Sequence, residues 1–298
     1  MDRLPKPVWT IEGLLPGGAV SLLYGAEGIG KSFLALDWML CTAGGHKWCG
    51  RPVRQGAALY LCAENAWPTP ERARAWSKLR GLALPQSEFF VVTPEPVMMA
   101  EPRHALEFLE AYSTARRITP AIVVVDTLQR SFVGHDENST KDMTLWVAGL
   151  SLLLQRWPLA SVMVIHHSGK DITRGDRGSS VLRASVECRM ELRGSAKSGE
   201  AALACHKQKN APEFKPLMLQ RHGGPEDGGF IFIPRGLSEF EERILAILRE
   251  EGEPLTVTGL RVRLGGKEHV GSARVVKALE NLEVVGSVSR KDNLWEAN

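Results

Sequence analysis

Short, continuously apolar runs recur along the first part of the chain, each separated from the next by a stretch with helical spacing. Gly18 to Tyr24, Gly56 to Ala63, Phe89 to Val92, Ala121 to Asp126 and Ser161 to Ile165 lack a polar alternation, as expected of strands buried on both faces of a parallel sheet. Between them, Phe33 to Cys41 sets Leu34, Asp37, Trp38 and Cys41 on one face and stops at Gly44-Gly45, a helix with its terminator. Pro70 to Leu79, about Pro102 to Arg117 and about Asp142 to Gln155 supply further helices. Strands alternating with helices predict right-handed βαβ units and an α/β fold with a mostly parallel sheet. The texture then changes. Ala184 to Leu192, Ala201 to His206, Leu217 to Gln220 and Phe230 to Ile233 are strand-like runs broken by Gly and Pro, which predicts an antiparallel extension of the sheet.

A different pattern begins at Ser238. Ser238 with Glu241 has the spacing of a capping box, and Phe240, Ile244, Ile247 and Leu248 share one helical face up to Gly252. Leu255 to Leu264 is a second short helix, and a third, about Gly271 to Leu282, turns Val275, Ala278, Leu279 and Leu282 inward and Arg274 and Lys277 outward. Ser287 to Trp295 is expected to form two strands around a Lys291-Asp-Asn293 turn. The chain therefore divides into residues 1–235 and 238–298. Neither internal repeats nor low-complexity tracts are evident.

Composition excludes some classes. With 298 residues, 44% hydrophobic and 24% charged, the chain is neither disordered nor collagen-like, and it can bury a sizeable core. Its five cysteines include no CxxC pair, which argues for reduced thiols and a cytoplasmic location rather than a disulfide scaffold or a metal cluster. Met1 to Pro7 lacks the apolar run of a signal peptide. Leu145 to Ile165 is interrupted by Gln155, Arg156 and Pro158, so no membrane partner is expected. A net charge of +3 is too small to name a nucleic-acid partner, and the distribution of charge has to decide.

The strongest chemical signal is Gly25-Ala-Glu-Gly-Ile-Gly-Lys-Ser32, a G-x-x-x-x-G-K-[ST] phosphate loop placed after an apolar strand and before a helix. Gly25, Gly28 and Gly30 let backbone N–H groups turn inward, and the helix start adds its own donors, so residues Gly25, Ala26, Glu27, Gly28, Ile29, Gly30, Lys31, Ser32 and Phe33 form the expected nucleotide cradle. Lys31 neutralises β/γ phosphates, and Ser32 is a ligand for Mg²⁺, which makes ATP and Mg²⁺ the expected cofactors. Asp126 closes an apolar strand where open parallel sheets bind ligands, a position suited to polarising a Mg²⁺-bound water. Glu64 ends another such strand and could take a proton from that water.

With these residues placed, the chain resembles the RecA-like hexameric helicases, most of all the RepA-type replicative helicases of plasmids and phages, and more distantly the ATPase half of DnaB. The resemblance spans roughly Val8 to Ile233. It rests on the phosphate loop with Tyr60 to Asn65, Val123 to Leu128, Asp136-Glu-Asn138, His166-His167, Arg177 to Leu182 and His206-Lys-Gln-Lys-Asn210 in that order. It implies that Glu64 is the catalytic base, Asp126 the Walker-B acid and His167 the sensor of the γ-phosphate. Lys207 and Lys209 fall on the family's Lys-x-Arg pair, which reaches the neighbouring subunit's nucleotide. A Lys in the second position lacks the planar two-pronged contact of a guanidinium. The resemblance further implies a ring, as a hexamer, that moves along single-stranded DNA in the replication of a plasmid, phage or mobile element.

Two loops would then meet DNA. Gln129 to Lys141 has a mixed charge. Ser168 to Ser180 carries Lys170, Arg174 and Arg177 among glycines and serines, which suits backbone contacts tolerant of sequence, or else a lid over the nucleotide. Three helices followed by a hairpin in 238–298 resemble a winged helix. Arg274, Lys277 and Lys291 are its candidate duplex-DNA contacts, although winged helices also serve as protein-contact modules. A separate primase or initiator is the expected further partner. An ATP-switched, DNA-binding initiator or regulator that does not unwind is the main alternative, and a filament-forming recombination ATPase is a third.

Overall fold

The computed structural model describes residues 7–62, 66–93, 97–167, 180–194, 198–209, 211–265, 270–284 and 287–297. A small hairpin, β1 (Trp9–Ile11) and β2 (Leu15–Pro16), precedes β3 (Ala19–Gly25) and α1 (Lys31–Gly44). Then follow β4 (Ala57–Cys62), α2 (Thr69–Arg80), β5 (Phe90–Val92), α3 (Pro102–Ala115), β6 (Pro120–Asp126), α4 (Thr140–Arg156) and β7 (Ser161–His167). A short helix α5 (Ser180–Ser185) leads into β8 (Cys188–Gly194), β9 (Glu200–Gln208), β10 (Leu217–Gly224) and β11 (Gly229–Pro234).

Among the described residues, nine of these strands form one sheet in the order β11-β10-β9-β8-β3-β7-β6-β4-β5. The strands from β8 to β5 run parallel, and β9, β10 and β11 continue the sheet antiparallel. This is the α/β architecture that the alternation of elements predicts. Because consecutive side chains point to opposite faces, each parallel strand feeds two cores. Leu23, Tyr60, Val124 and Met163 pack with Leu34, Trp38 and Trp76 of α1 and α2. Leu22, Leu59, Val125 and Val164 pack with Leu109, Trp146 and Leu150 of α3 and α4.

Three local departures have clear causes. The hairpin β1/β2 is absent from the pattern because its strands are only three and two residues long. Ala184 and Ser185, expected at the start of a strand, end α5 instead, with Ser185 Oγ donating to the Val181 carbonyl at 2.7 Å. Helix α4 starts two residues before the expected Asp142, because Ser139 caps it by accepting from the Asp142 N–H.

Beyond the sheet lie α6 (Glu239–Glu251), α7 (Val257–Arg263), α8 (Ser272–Val284) and the hairpin β12 (Val288–Lys291) with β13 (Leu294–Ala297). Ile244, Leu248, Leu260, Val275, Leu279 and Trp295 form an apolar cluster of their own. The capping box closes α6: Ser238 Oγ accepts from Glu241 N, and the Glu241 carboxylate accepts from Ser238 N at 2.8 Å. Leu255 leaves the helix expected for it and bridges Trp295, so α7 begins at Val257.

Burial pushes the Glu241 carboxyl up, but the Ser238 backbone, Arg235 and Asn281 hold it below its ordinary 4.5. Glu191 in β8 is likewise held low by His206 and Arg193 against burial. A depressed folded-state pKa contributes stability above the unfolded value, and that stability is lost as pH falls through the folded one. The unfolding midpoint in urea should therefore drop as pH is lowered from 4.5. A Glu191→Gln/Glu241→Gln variant should show a flatter acid limb, as measured by fluorescence-monitored unfolding between pH 3 and pH 7. Among the described residues no helix is long and apolar enough to cross a membrane.

Candidate functional site

Parallel packing brings the carboxyl ends of β3, β7, β6 and β4 to one rim. Gly25 of β3 pairs in register with His167 of β7, and Asp126 of β6 pairs with Cys62 of β4. Strand β7 lies between β3 and β6, so Asp126 stands about 10 Å across the sheet from the start of the phosphate loop, at ~4.8 Å per strand. This is the kind of rim at which open α/β sheets hold ligands.

The loop itself is built by its glycines. Gly28 and Gly30 have φ of +71° and +105°, a region that L side chains rarely adopt. A Cβ on Gly28 would meet nothing within 4 Å, whereas one on Gly30 would lie 2.8 Å from Phe230 and 3.1 Å from Phe232. Two outcomes follow. Gly28→Ala should weaken binding of a non-hydrolysable ATP analogue while lowering stability by only about 1–2 kcal/mol. Gly30→Ala should add to that strain a clash with β11 and lower stability further, so titration calorimetry and urea unfolding together should separate the two positions.

Helix α1 opens with no side-chain cap and no acid in its first turn. Its leading N–H groups are therefore suited to an anion. Lys31 is buried, 5% exposed, and its ammonium donates to the carbonyls of Gly25 at 3.0 Å and Ala26 at 2.8 Å. His167 Nδ1 lies 3.3 Å from the same ammonium, and an imidazole protonated on Nε2 accepts there. The structure thus places His167 directly against the phosphate-loop lysine. Phe33 stacks its ring on Phe230 of β11 at 4.1 Å with the Arg72 guanidinium 4.7 Å from it.

Asp126 is 4% exposed and accepts a 2.5 Å hydrogen bond from Tyr60 Oη. Burial, and then the Asp126 charge, hold Tyr60 well above its ordinary pKa, which keeps it a neutral donor. Tyr60 is a site residue that the apolar run Gly56 to Ala63 conceals; a single phenol in an otherwise aliphatic strand was the available signal. A second unforeseen group is centred on Glu191, which accepts from Tyr24 Oη at 3.3 Å, Arg193 Nε at 2.7 Å and lies 2.9 Å from His206 Nε2. It ties β3, just before Gly25, to β8 and β9.

Among the described residues no three His, Cys, Asp or Glu side chains converge as a metal cluster. Ser32 and Asp126 offer oxygen, the donor Mg²⁺ prefers, and the start of α1, which has no side-chain cap, suits the phosphates that share its coordination. The residues present fit ATP with Mg²⁺.

Lys207 and Lys209 lie elsewhere. β9 runs antiparallel to β8, so its end falls at the amino-terminal rim. Lys209 N donates to Glu187 O, and Glu187 N donates to Val20 O. Val20 is five residues before Gly25, about 17 Å along the strand at ~3.3 Å per residue. Lys207 Nζ donates to the carbonyls of Arg183 and Ala184, and Lys209 pairs with Glu187 at 3.6 Å. Neither lysine is near its own phosphate loop. Burial and Lys209 lower the pKa of Lys207. Glu64, Lys170, Arg174 and Arg177 lie outside the described residues. Arg274 and Lys277 project from α8, and Lys291 ends β12. All five cysteines are free thiols.

The ordered parallel rim, the glycine loop with its buried lysine and the strand-end aspartate define a RecA-like P-loop ATPase. Residues 1–172, more than half of the chain, match the AAA domain family, and the chain belongs to it. It is 25% identical over 252 residues to the DNA repair protein RadA of Haemophilus influenzae, with 82% of this chain and 48% of that protein covered. The chain thus spans about half the length of this curated relative. The crystal structure of the RadB recombinase superposes with a TM-score of 0.51 at 18% identity, covering 73% of this chain and 91% of that one. That likeness establishes the shared fold.

Proposed function

We propose that the protein is an ATP-driven DNA translocase that hydrolyses ATP between the subunits of a ring, a hexamer by its resemblance to RepA-type helicases, and unwinds DNA in the replication of a plasmid, phage or mobile element. The observation that supports this reading is the separation of parts: the glycine loop with its buried lysine on one rim, and Lys207 and Lys209 at the far end of β9. Lys209, about 17 Å from its own loop along the strand direction, is placed to serve a nucleotide on another subunit, and head-to-tail contacts of that kind form a ring when their rotation closes.

At the site, Lys31 leaves the Gly25 and Ala26 carbonyls to meet the β/γ phosphates, and the α1 N–H groups hold them. Ser32 and Asp126 would hold Mg²⁺, which would supply charge neutralisation to the phosphates. Tyr60 fixes the Asp126 carboxylate by its hydrogen bond. Glu64 receives the proton of the attacking water. His167, freed from Lys31, registers the γ-phosphate, and Lys207 with Lys209 completes the neighbour's site. Lys170, Arg174 and Arg177 contact single-stranded DNA, and residues 238–298 act as a winged-helix module.

A second reading is supported by the relatives, one named a DNA repair protein and the other a recombinase: an ATPase of repair or recombination that remodels DNA without processive unwinding. Strand displacement on a forked duplex with ATP and Mg²⁺ decides. Directional displacement that is lost in Lys31→Ala supports the helicase. DNA-stimulated hydrolysis with no displacement supports the second reading and rejects the first.

A further inference from the structure

We propose that the cleft between the antiparallel part of the sheet and the C-terminal helices is a second nucleic-acid contact, which takes the phosphate backbone of a strand on cations of α6 and α8, with the ion-paired Arg235 of the sheet side forming its floor. The inference rests on the DNA-directed reading above. The cleft has a volume of 710 Å³, within the ~300–1,000 Å³ of ligand-holding pockets. Arg235, just past β11, reaches it from the sheet, Arg243 from α6, and Arg274 and Lys277 from α8.

The acids in its wall are unequally available. Arg235 Nε pairs with Glu200 at 3.2 Å, and its Nη2 pairs with Glu241 at 3.0 Å. Glu241, 1% exposed, also accepts from Asn281 at 2.7 Å and from Ser238. Glu200 and Glu241 are therefore committed to Arg235. Glu239 alone stands against Arg243, Arg274 and Lys277, which are exposed and have no carboxylate within ion-pair distance among the described residues. Arg235 Nη1 is buried without a hydrogen-bond partner, an unsatisfied group of the kind that is costly.

Three cations on two helices suit a polyanion bound through its backbone rather than its bases. An acidic peptide would seek an apolar anchor pocket, but the aromatic ring in this wall, Phe240, has the Arg274 guanidinium 4.3 Å from its centre. The arrangement also divides the set Arg274, Lys277 and Lys291. The first two line the cleft, and Lys291 lies outside its lining.

The test uses the full chain and fluorescence anisotropy with a labelled oligodeoxythymidine over a range of salt concentrations. R243A/R274A/K277A should lose at least tenfold in affinity at low salt, and its log K against log salt slope should become shallower by about 2, from ~0.7 per phosphate contact for single strands. R243K/R274K/K277R, which keeps every charge, should retain the slope and guards against misfolding of the alanine variant. Unchanged affinity and slope in the alanine variant, with the wild type binding normally, would overturn the cleft and leave the DNA-directed reading standing. A wild type that binds no strand would reject that reading itself. Displacement of the strand by polyglutamate at equal charge concentration would assign the cleft to an acidic peptide and overturn the proposal.

Discussion

Replacing Asp37 with alanine is expected to lower the unfolding free energy by about 3–5 kcal/mol, the usual cost of stranding one partner of a buried ion pair. Asp37 is fully buried. Its carboxylate accepts from Trp48 Nε1 at 2.8 Å, Trp76 Nε1 at 2.6 Å and Arg80 Nε at 3.1 Å, and a second Arg80 nitrogen, Nη2, also reaches it. Arg80 in turn donates to the Phe232 carbonyl at 3.0 Å, so one side chain of α1 fastens α2 and β11 to the layer that carries the phosphate loop. Alanine leaves a guanidinium only 15% exposed with no counter-charge, and two indole N–H groups with no acceptor. Urea unfolding should reveal the loss. A change below about 0.5 kcal/mol, ordinary for surface positions, would show that the hub contributes nothing.

Lys31→Ala is the second large effect, this time on activity. It removes a buried ammonium that contacts the loop carbonyls and His167, and with it the charge proposed to meet the phosphates. ATP turnover should fall by ~10²–10³, as for loss of a single preorganised donor to transition-state charge. Fold stability should change much less than in Asp37→Ala. A steady-state assay that finds turnover within fivefold of wild type would contradict the role given to Lys31.

The contrast between these residues shows what the sequence can reveal. Lys31 is legible because its motif is local: eight consecutive residues between a strand and a helix. Asp37 shares the apolar face of the same helix, yet its partners come from 11, 39 and 43 residues away, and periodicity carries no information on which distant donors will converge. Tyr60 and Glu191 escape for the same reason, since their bonds to Asp126 and His206 are set by sheet order. The parallel core was legible because burial on both faces leaves long apolar runs, whereas β1 and β2 are too short for a pattern to register. The division of Arg274 and Lys277 from Lys291 could not be read from charge counts, because it depends on where α8 and β12 sit relative to Glu200 and Arg235 in the cleft wall.

Placing Lys207 and Lys209 on the rim opposite Lys31 leads to one direct test of catalysis between subunits. Lys31→Ala and Lys207→Ala/Lys209→Ala are each expected to be inactive alone, the first lacking its cradle and the second its reach into the neighbour. Mixed and allowed to reassemble, they create contacts in which an intact loop faces an intact lysine pair, about a quarter of all contacts if head-to-tail pairing is random. The account predicts that ATP turnover in the equimolar mixture recovers to roughly that fraction of wild type. A mixture no more active than the sum of its two components, with light scattering showing that the subunits do exchange, would contradict it.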